Sequence, residues 1–141
     1  MKHVKNIFSI LVAAIWIGAS EFARNEFLLK SLWTEHYRAL GLNFPSEPIN
    51  GAAWGIWSIL FAIFIFVISK RFSLIQTTFI SWLAAFVMMW AVIGNLGVLP
   101  YGILVYAIPL SILESFVAAL IIKTSQNKTS LQEQLHKGAK E

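Results

Sequence analysis

Four apolar runs dominate the sequence, and each has about the length that an α-helix needs to cross a bilayer. A hydrocarbon core of about 30 Å takes about 20 helical residues. The runs predict membrane spans at residues 4–29, 52–69, 73–94 and 101–122. Only 13% of the residues are charged, about half the share found in ordinary soluble domains. We therefore predict an all-α fold, an integral membrane bundle of four transmembrane helices in a lipid bilayer.

Basic residues predict the orientation of these spans, because lysine and arginine accumulate in cytoplasmic loops. They stand before span 1, between spans 2 and 3 and after span 4: Lys2, Lys5, Lys70, Arg71, Lys123 and Lys128. This pattern predicts that both termini are cytoplasmic; we expect the membrane to be a plasma (bacterial inner) membrane. The pattern also accounts for the net charge of +4 without a nucleic-acid partner. Residues 1–123 are then the transmembrane domain, and residues 124–141 a polar cytoplasmic tail.

Two segments permit more than one interpretation. The N-terminal run has the lysines and small residues of a signal peptide, but we favour an uncleaved first span because the helical pattern continues to about Leu40. Residues 30–41 carry an apolar stripe at helical spacing. They either prolong the first helix beyond the bilayer or form an amphipathic helix that lies on the membrane surface after a bend.

Ionisable residues near the end of span 1 predict a functional site. Charged side chains inside a bilayer are costly, usually face the bundle interior and often mark functional positions. With about 100° of rotation between successive helical residues, Glu21, Arg24 and Asn25 project from one face. They are either polar contacts that hold the helices together or part of a site for a ligand or a proton.

Glu114 is the second candidate, because it lies near the middle of span 4 without a basic neighbour in that span. Its alternative role is that of a protonated side chain hydrogen-bonded to Ser111 or Asn95. Aromatic and polar residues at compatible heights complete a predicted cavity that opens outward, with Glu114 at its floor. The predicted ligand-binding residues are Glu21, Arg24, Asn25, Trp54, Trp57, Trp90, Asn95, Tyr106, Ser111 and Glu114.

Three classes of function remain open. The first is a protein that binds or transports a small lipophilic or amphipathic molecule; since four helices make a thin pathway, transport predicts a homodimer. The second is an intramembrane enzyme of isomerase or cyclase type, with Glu21 and Glu114 as catalytic acid and base. The third is a structural or accessory subunit. The sequence has no cysteine and no histidine pair at ligand spacing, so we predict neither a metal site nor a cofactor.

The outline resembles that of the small multidrug resistance transporters, in having four short spans and an acidic residue, Glu21, in the first. That resemblance implies transport of lipophilic cations. Two features depart from the family. The connector at residues 30–49 is long, and Arg24 beside Glu21 is unfavourable for a site that binds cations.

Overall fold

The fold was analysed in a computed structural model that describes the backbone of residues 2–138 and the side chains of residues 4–128, 130 and 134. Within this part of the chain every regular element is helical. Four helices are long and apolar enough to cross a membrane: Val4–Leu28, Pro48–Ser69, Leu74–Asn95 and Tyr101–Lys128. These are spans 1 to 4 below. The predicted all-α architecture with four spans is confirmed, and it is consistent with an integral membrane protein.

Span 1 contains two kinds of helix. Helix α1 runs over Lys2–Phe22 and is followed by a π-helical segment over Ala23–Leu28. There the backbone N–H of Leu29 donates to the carbonyl oxygen of Arg24, five residues earlier, over 2.9 Å. The wider turn changes the direction of the side chains that follow, and such segments are frequent at functional sites.

The segment after span 1 is a separate helix. Leu29, with φ −114°, interrupts the regular helix, and α2 then covers Lys30–Ala39. Of the two predicted possibilities, the structure therefore has a helix after a bend, not a straight prolongation of span 1. Gly41 has φ +72°, a left-handed conformation that glycine adopts at low cost and that commonly ends a helix.

Span 2 is helix α3, Pro48–Ser69, and it begins four residues before the predicted position 52. The predicted connector was too long, because Pro48 belongs to the first turn of the helix. A proline is compatible with that position, where its missing N–H costs nothing. At the other end, Lys123 Nζ donates to the carbonyl oxygen of Ser69 over 3.0 Å. The C-terminal end of span 2 therefore adjoins span 4.

Span 3 is interrupted in its middle. Helix α4 (Leu74–Trp82) starts with a capping box in which the Ser73 hydroxyl and the Gln76 side chain each bond to the other residue's backbone. A second π-helical segment, Leu83–Val87, separates α4 from α5, Met88–Asn95.

Span 4 begins with a short 3-10 turn, Tyr101–Ile103, and continues as α6, Leu104–Gly138. The helix therefore extends well beyond the predicted end of the span at residue 122 and includes most of the predicted tail. Residues 139–141 of that tail lie outside the described residues.

Small side chains allow the helices to approach one another closely. Span 1 packs against spans 2 and 4, while span 4 also contacts α3 and α4. The buried residues at these contacts include five alanines: Ala13, Ala14, Ala62, Ala118 and Ala119. Large apolar side chains cover much of the outer surface instead. This distribution is typical of helices that associate in lipid, where close packing replaces the hydrophobic effect.

Candidate functional site

A buried cluster of three ionisable side chains joins spans 1 and 4. We call Glu21, Arg24 and Glu114 the Arg24 cluster; their exposed fractions are 5%, 6% and 1%. Arg24 Nη1 donates to Glu114 Oε2 over 3.0 Å, and Arg24 Nη2 donates to Glu21 Oε1. The guanidinium group therefore bridges the two carboxyl groups, one from its own span and one from a residue 90 positions later in the chain.

Asn25 completes the bonding of Glu21. Its Nδ2 donates to Glu21 Oε2 over 2.9 Å and to the Glu21 carbonyl oxygen over 3.0 Å. Its Oδ1 accepts a bond of 3.2 Å from Trp33 Nε1 in α2. Both carboxyl oxygens of Glu21 are thus occupied, and the amide of Asn25 connects the Arg24 cluster to α2.

The two π-helical segments meet at this cluster. Phe86, from the segment in span 3, is 1% exposed. The Arg24 Cζ atom lies 5.2 Å from the centroid of the Phe86 ring, within the range of a cation–π contact. Arg24 itself belongs to the segment in span 1. The π-helical segments of spans 1 and 3 therefore each contribute one side chain to this cation–π contact.

Glu114 has one bonded and one unbonded carboxyl oxygen. Oε2 accepts from Arg24, whereas Oε1 is buried without a hydrogen-bond partner among the described residues. The Glu114 backbone carbonyl accepts a bond of 3.1 Å from Trp16 Nε1. Buried polar atoms are almost always bonded, so Oε1 is the chemically unsatisfied position of the cluster.

A crevice of about 160 Å³ borders Glu114. Its wall comes only from span 1 and span 4: Trp16, Ser20, Ala23, Arg24, Leu28, Leu110, Leu113 and Glu114. Leu28 is 60% and Leu113 is 53% exposed, so the crevice opens on the outer surface of the bundle between the two helices. At about 1.5 Å per residue, Leu110 and Glu114 lie roughly 14 and 20 Å along span 4 from Tyr101. The opening therefore lies partway along span 4, which is apolar and long enough to cross a membrane.

The structure brings together only part of the predicted site. Glu21, Arg24, Asn25 and Glu114 form one bonded group. Ser111 is buried but separate, because its hydroxyl donates to the Ile108 carbonyl and accepts from Trp82 Nε1.

The predicted aromatic wall lies elsewhere. Trp57 and Trp90 each pack against Phe86, with ring centroids 5.6 and 5.8 Å from that ring. Trp54 and Tyr106 are 44% and 58% exposed, and Asn95 is exposed at the end of α5. None of these five residues lines the crevice.

Sequence reasoning missed several residues that line the crevice, above all Trp16 and Leu110. Their spacing contains a signal: Trp16, Ser20 and Ala23 recur at helical intervals before Arg24, and Leu110 precedes Glu114 by four residues. Each set therefore shares a helix face with an ionisable residue of the cluster. An examination of those two faces would have found the crevice wall.

Helix α2 covers one end of the site. Leu32 and Trp33 pack with Leu29 against a buried group in the second half of the chain, comprising Leu99, Ile103 and Ala107. A ring nitrogen of His36 lies 3.2 Å from the Gly97 carbonyl oxygen. The amphipathic helix is thus attached to the connector between spans 3 and 4 by polar and apolar contacts.

Comparison of this chain with protein-family models, with curated proteins and with solved structures finds no match. The likeness to the small multidrug resistance transporters is therefore one of outline alone. Among the described residues, no three histidine, cysteine, aspartate or glutamate side chains gather as metal ligands would.

Proposed function

We propose that this protein binds a small, partly apolar molecule within the membrane, in the crevice between spans 1 and 4. The observation that carries the proposal is the combination of an apolar recess with a single unbonded, buried carboxyl oxygen, Glu114 Oε1. Ligand sites are mostly apolar recesses with a few polar groups that fix orientation. The crevice replaces the predicted outward-facing cavity as the place for the ligand, and its lateral opening favours a molecule that arrives through the lipid.

The size of the crevice limits what it can hold. Cavities for drug-sized ligands are about 300–1,000 Å³, whereas a cavity of about 150 Å³ holds benzene. A crevice of about 160 Å³ therefore takes a polar head and a few carbon atoms. The rest of a longer ligand would lie over Leu28 and Leu113, among the acyl chains.

The geometry favours binding over acid–base catalysis. An enzyme that used the two glutamates as acid and base would need both carboxyl groups to reach the substrate. Glu21 is bonded through both oxygens and does not line the crevice. Of the two glutamates, only Glu114 is in position to touch a ligand, so the isomerase or cyclase hypothesis is not the one that we adopt.

Several finer proposals accompany the binding site. We propose that binding serves transport and that two copies associate to form the pathway. We place the protein in the plasma (bacterial inner) membrane with both termini cytoplasmic. Support for that orientation comes from the basic residues near one end of the bundle, where Lys123 contacts the end of span 2 close to Lys70 and Arg71.

A photoreactive probe tests the binding proposal. The purified protein in nanodiscs is labelled with an octanol that carries a diazirine group, and mass spectrometry locates the label. We expect saturable labelling in residues 16–28 and 110–114 that unlabelled octanol suppresses. Ala23→Trp, which fills the crevice, should abolish it. Ala19→Trp is the matched control, because Ala19 is exposed on the same helix outside the crevice. Labelling spread over all four spans and unaffected by Ala23→Trp would refute the proposal.

A further inference from the structure

We infer that the ligand's polar head is neutral and carries a hydroxyl or amide group, because the Arg24 cluster holds one proton and therefore has no net charge to offer an ion. The inference rests on the proposed function and names the class of ligand for the same crevice. Its basis is the charge balance of the cluster, the unbonded Glu114 Oε1 and the route by which a ligand reaches it.

The cluster has one more acid than base. Two carboxyl groups face the single guanidinium group of Arg24, which would leave one negative charge if both were ionised. Spans 2 and 3 supply no compensation, since residues 48–69 and 74–95 contain no charged side chain and no histidine. An unpaired charge at this depth is strongly unfavourable, so one proton on the cluster restores neutrality.

Two other charged side chains of spans 1 and 4 have partners outside the cluster. Glu26 pairs with Lys30 in an exposed contact, and Lys123 donates to the Ser69 carbonyl oxygen at the other end of the bundle. In α2, a ring nitrogen of His36 lies 3.2 Å from the Gly97 carbonyl oxygen. None of these groups is bonded to Glu114 or Glu21 among the described residues, so the proton is the remaining source of positive charge.

A neutral cluster selects against ions of both signs. An anion would meet a guanidinium group whose Nη1 and Nη2 already donate to carboxyl groups. A cation would lie near that guanidinium group, and a cluster without net negative charge would not attract it. A hydroxyl or amide group can exchange hydrogen bonds with Glu114 Oε1 in either protonation state, because it is both a donor and an acceptor.

The route of entry also favours a ligand with a neutral polar head. Because the crevice opens between the exposed side chains of Leu28 and Leu113 on two apolar helices, a ligand that comes from the bilayer crosses acyl chains to reach Glu114. Desolvating a formal charge on that route is far more costly than desolvating a hydroxyl group. Both arguments point to a neutral amphipathic molecule such as an alkyl alcohol or a monoacylglycerol.

Three competitors with one chain length test the inference. Octanol, octylamine and octanoate are compared at neutral pH for their ability to suppress crevice labelling by the diazirine octanol, with concentrations corrected for partitioning into the nanodisc. We expect octanol to protect at concentrations at least about tenfold lower than either ion. The Glu114→Gln variant makes the cluster neutral without a proton, and it should show the same order of preference as the wild-type protein.

The result that overturns the inference is a different order. If octylamine protects the wild-type protein best and Glu114→Gln loses that preference, the cluster carries a negative charge. The binding proposal would then be retained, but the inference that the polar head is neutral would be wrong. If octanoate protects best, Arg24 is free to bind anions and the inference also fails. If no competitor suppresses labelling, the proposed function itself fails. Infrared difference spectra provide a second readout, because the C=O stretch of a protonated carboxylic acid should be present in the wild-type protein and altered by Glu21→Gln or Glu114→Gln.

Discussion

Replacing Arg24 by methionine removes the only cation of the buried cluster while keeping a long apolar side chain in its place. Arg24 bonds to both Glu114 and Glu21 and is 6% exposed. Charge-assisted hydrogen bonds contribute about 1.5–3 kcal/mol each, and removal of one partner from a buried ion pair costs about 3–5 kcal/mol. The carboxyl groups left behind can take up protons, which relieves part of the penalty. We therefore expect Arg24→Met to lower the free energy of unfolding by about 3 kcal/mol.

Equilibrium unfolding in bicelles, measured by steric trapping, gives this free energy directly. The control is a triple variant with Glu21→Leu, Arg24→Met and Glu114→Leu. Replacing a whole buried ionic group by apolar side chains is often neutral or stabilising, so the triple variant should recover most of the loss. Either of two results would show that Arg24 does not stabilise the fold by neutralising buried carboxyl groups. One is a loss of less than about 1 kcal/mol of unfolding free energy in Arg24→Met, and the other is a triple variant that is no more stable than the single one.

Substitutions at three further positions test individual contacts. Gly18→Ala should be tolerated, since a Cβ atom there would lie 3.5 Å from Ser58 Oγ, whereas Gly18→Leu should cost about 1–3 kcal/mol in the same unfolding assay by separating spans 1 and 2. Trp33→Phe removes the bond to Asn25 but keeps the ring, so hydrogen exchange in α2 should accelerate about 2- to 10-fold; unchanged exchange would contradict the proposed attachment. Lys123→Met removes the lysine that donates to the Ser69 carbonyl, and Ser69 is only 2% exposed. This change should lower the free energy of unfolding by about 1–3 kcal/mol, while Lys123→Arg should lower it clearly less.

The spans were predictable because their signal is local. Length and hydropathy depend only on neighbouring residues, and the four helices lie within a few residues of the predicted ranges except at Pro48 and beyond residue 122. The cost of burying charge likewise predicts that Glu21, Arg24 and Glu114 face the bundle, where the structure has them. Their role in ligand binding stays a prediction.

The partner of Glu114 was not predictable from the sequence. Arg24 precedes it by 90 residues, and the order of the helices around the bundle leaves no mark on a single chain. The rotation of spans 2 and 3 leaves only a weak signal in the sequence, because apolar residues occur on every face and lipid-facing apolar side chains resemble those of the core. For the same reason, the sequence did not indicate that Trp54 is exposed or that Trp57 and Trp90 pack on Phe86 and do not line the crevice.

The Arg24 cluster has one more carboxyl group than an ion pair needs, and this extra group distinguishes a ligand site from a contact that only holds the helices together. Glu21 and Arg24 already form a balanced ion pair, and Glu114 adds an acid that this pair does not require. Glu114→Leu restores the balance without a proton, so we expect the free energy of unfolding to change by less than about 1 kcal/mol while octanol protection of the crevice is lost.

Glu21→Leu also leaves one acid and one base, yet it strands the amide of Asn25, which bonds to Glu21 Oε2 over 2.9 Å. We expect it to cost about 1–3 kcal/mol, the penalty for a buried polar group without its partner. Both variants are measured by steric trapping and by crevice labelling. If Glu114→Leu destabilises the protein as much as Glu21→Leu and leaves octanol protection intact, Glu114 is a structural residue. The burial of the Glu114 carboxyl group would then be explained by helix packing alone, without a ligand.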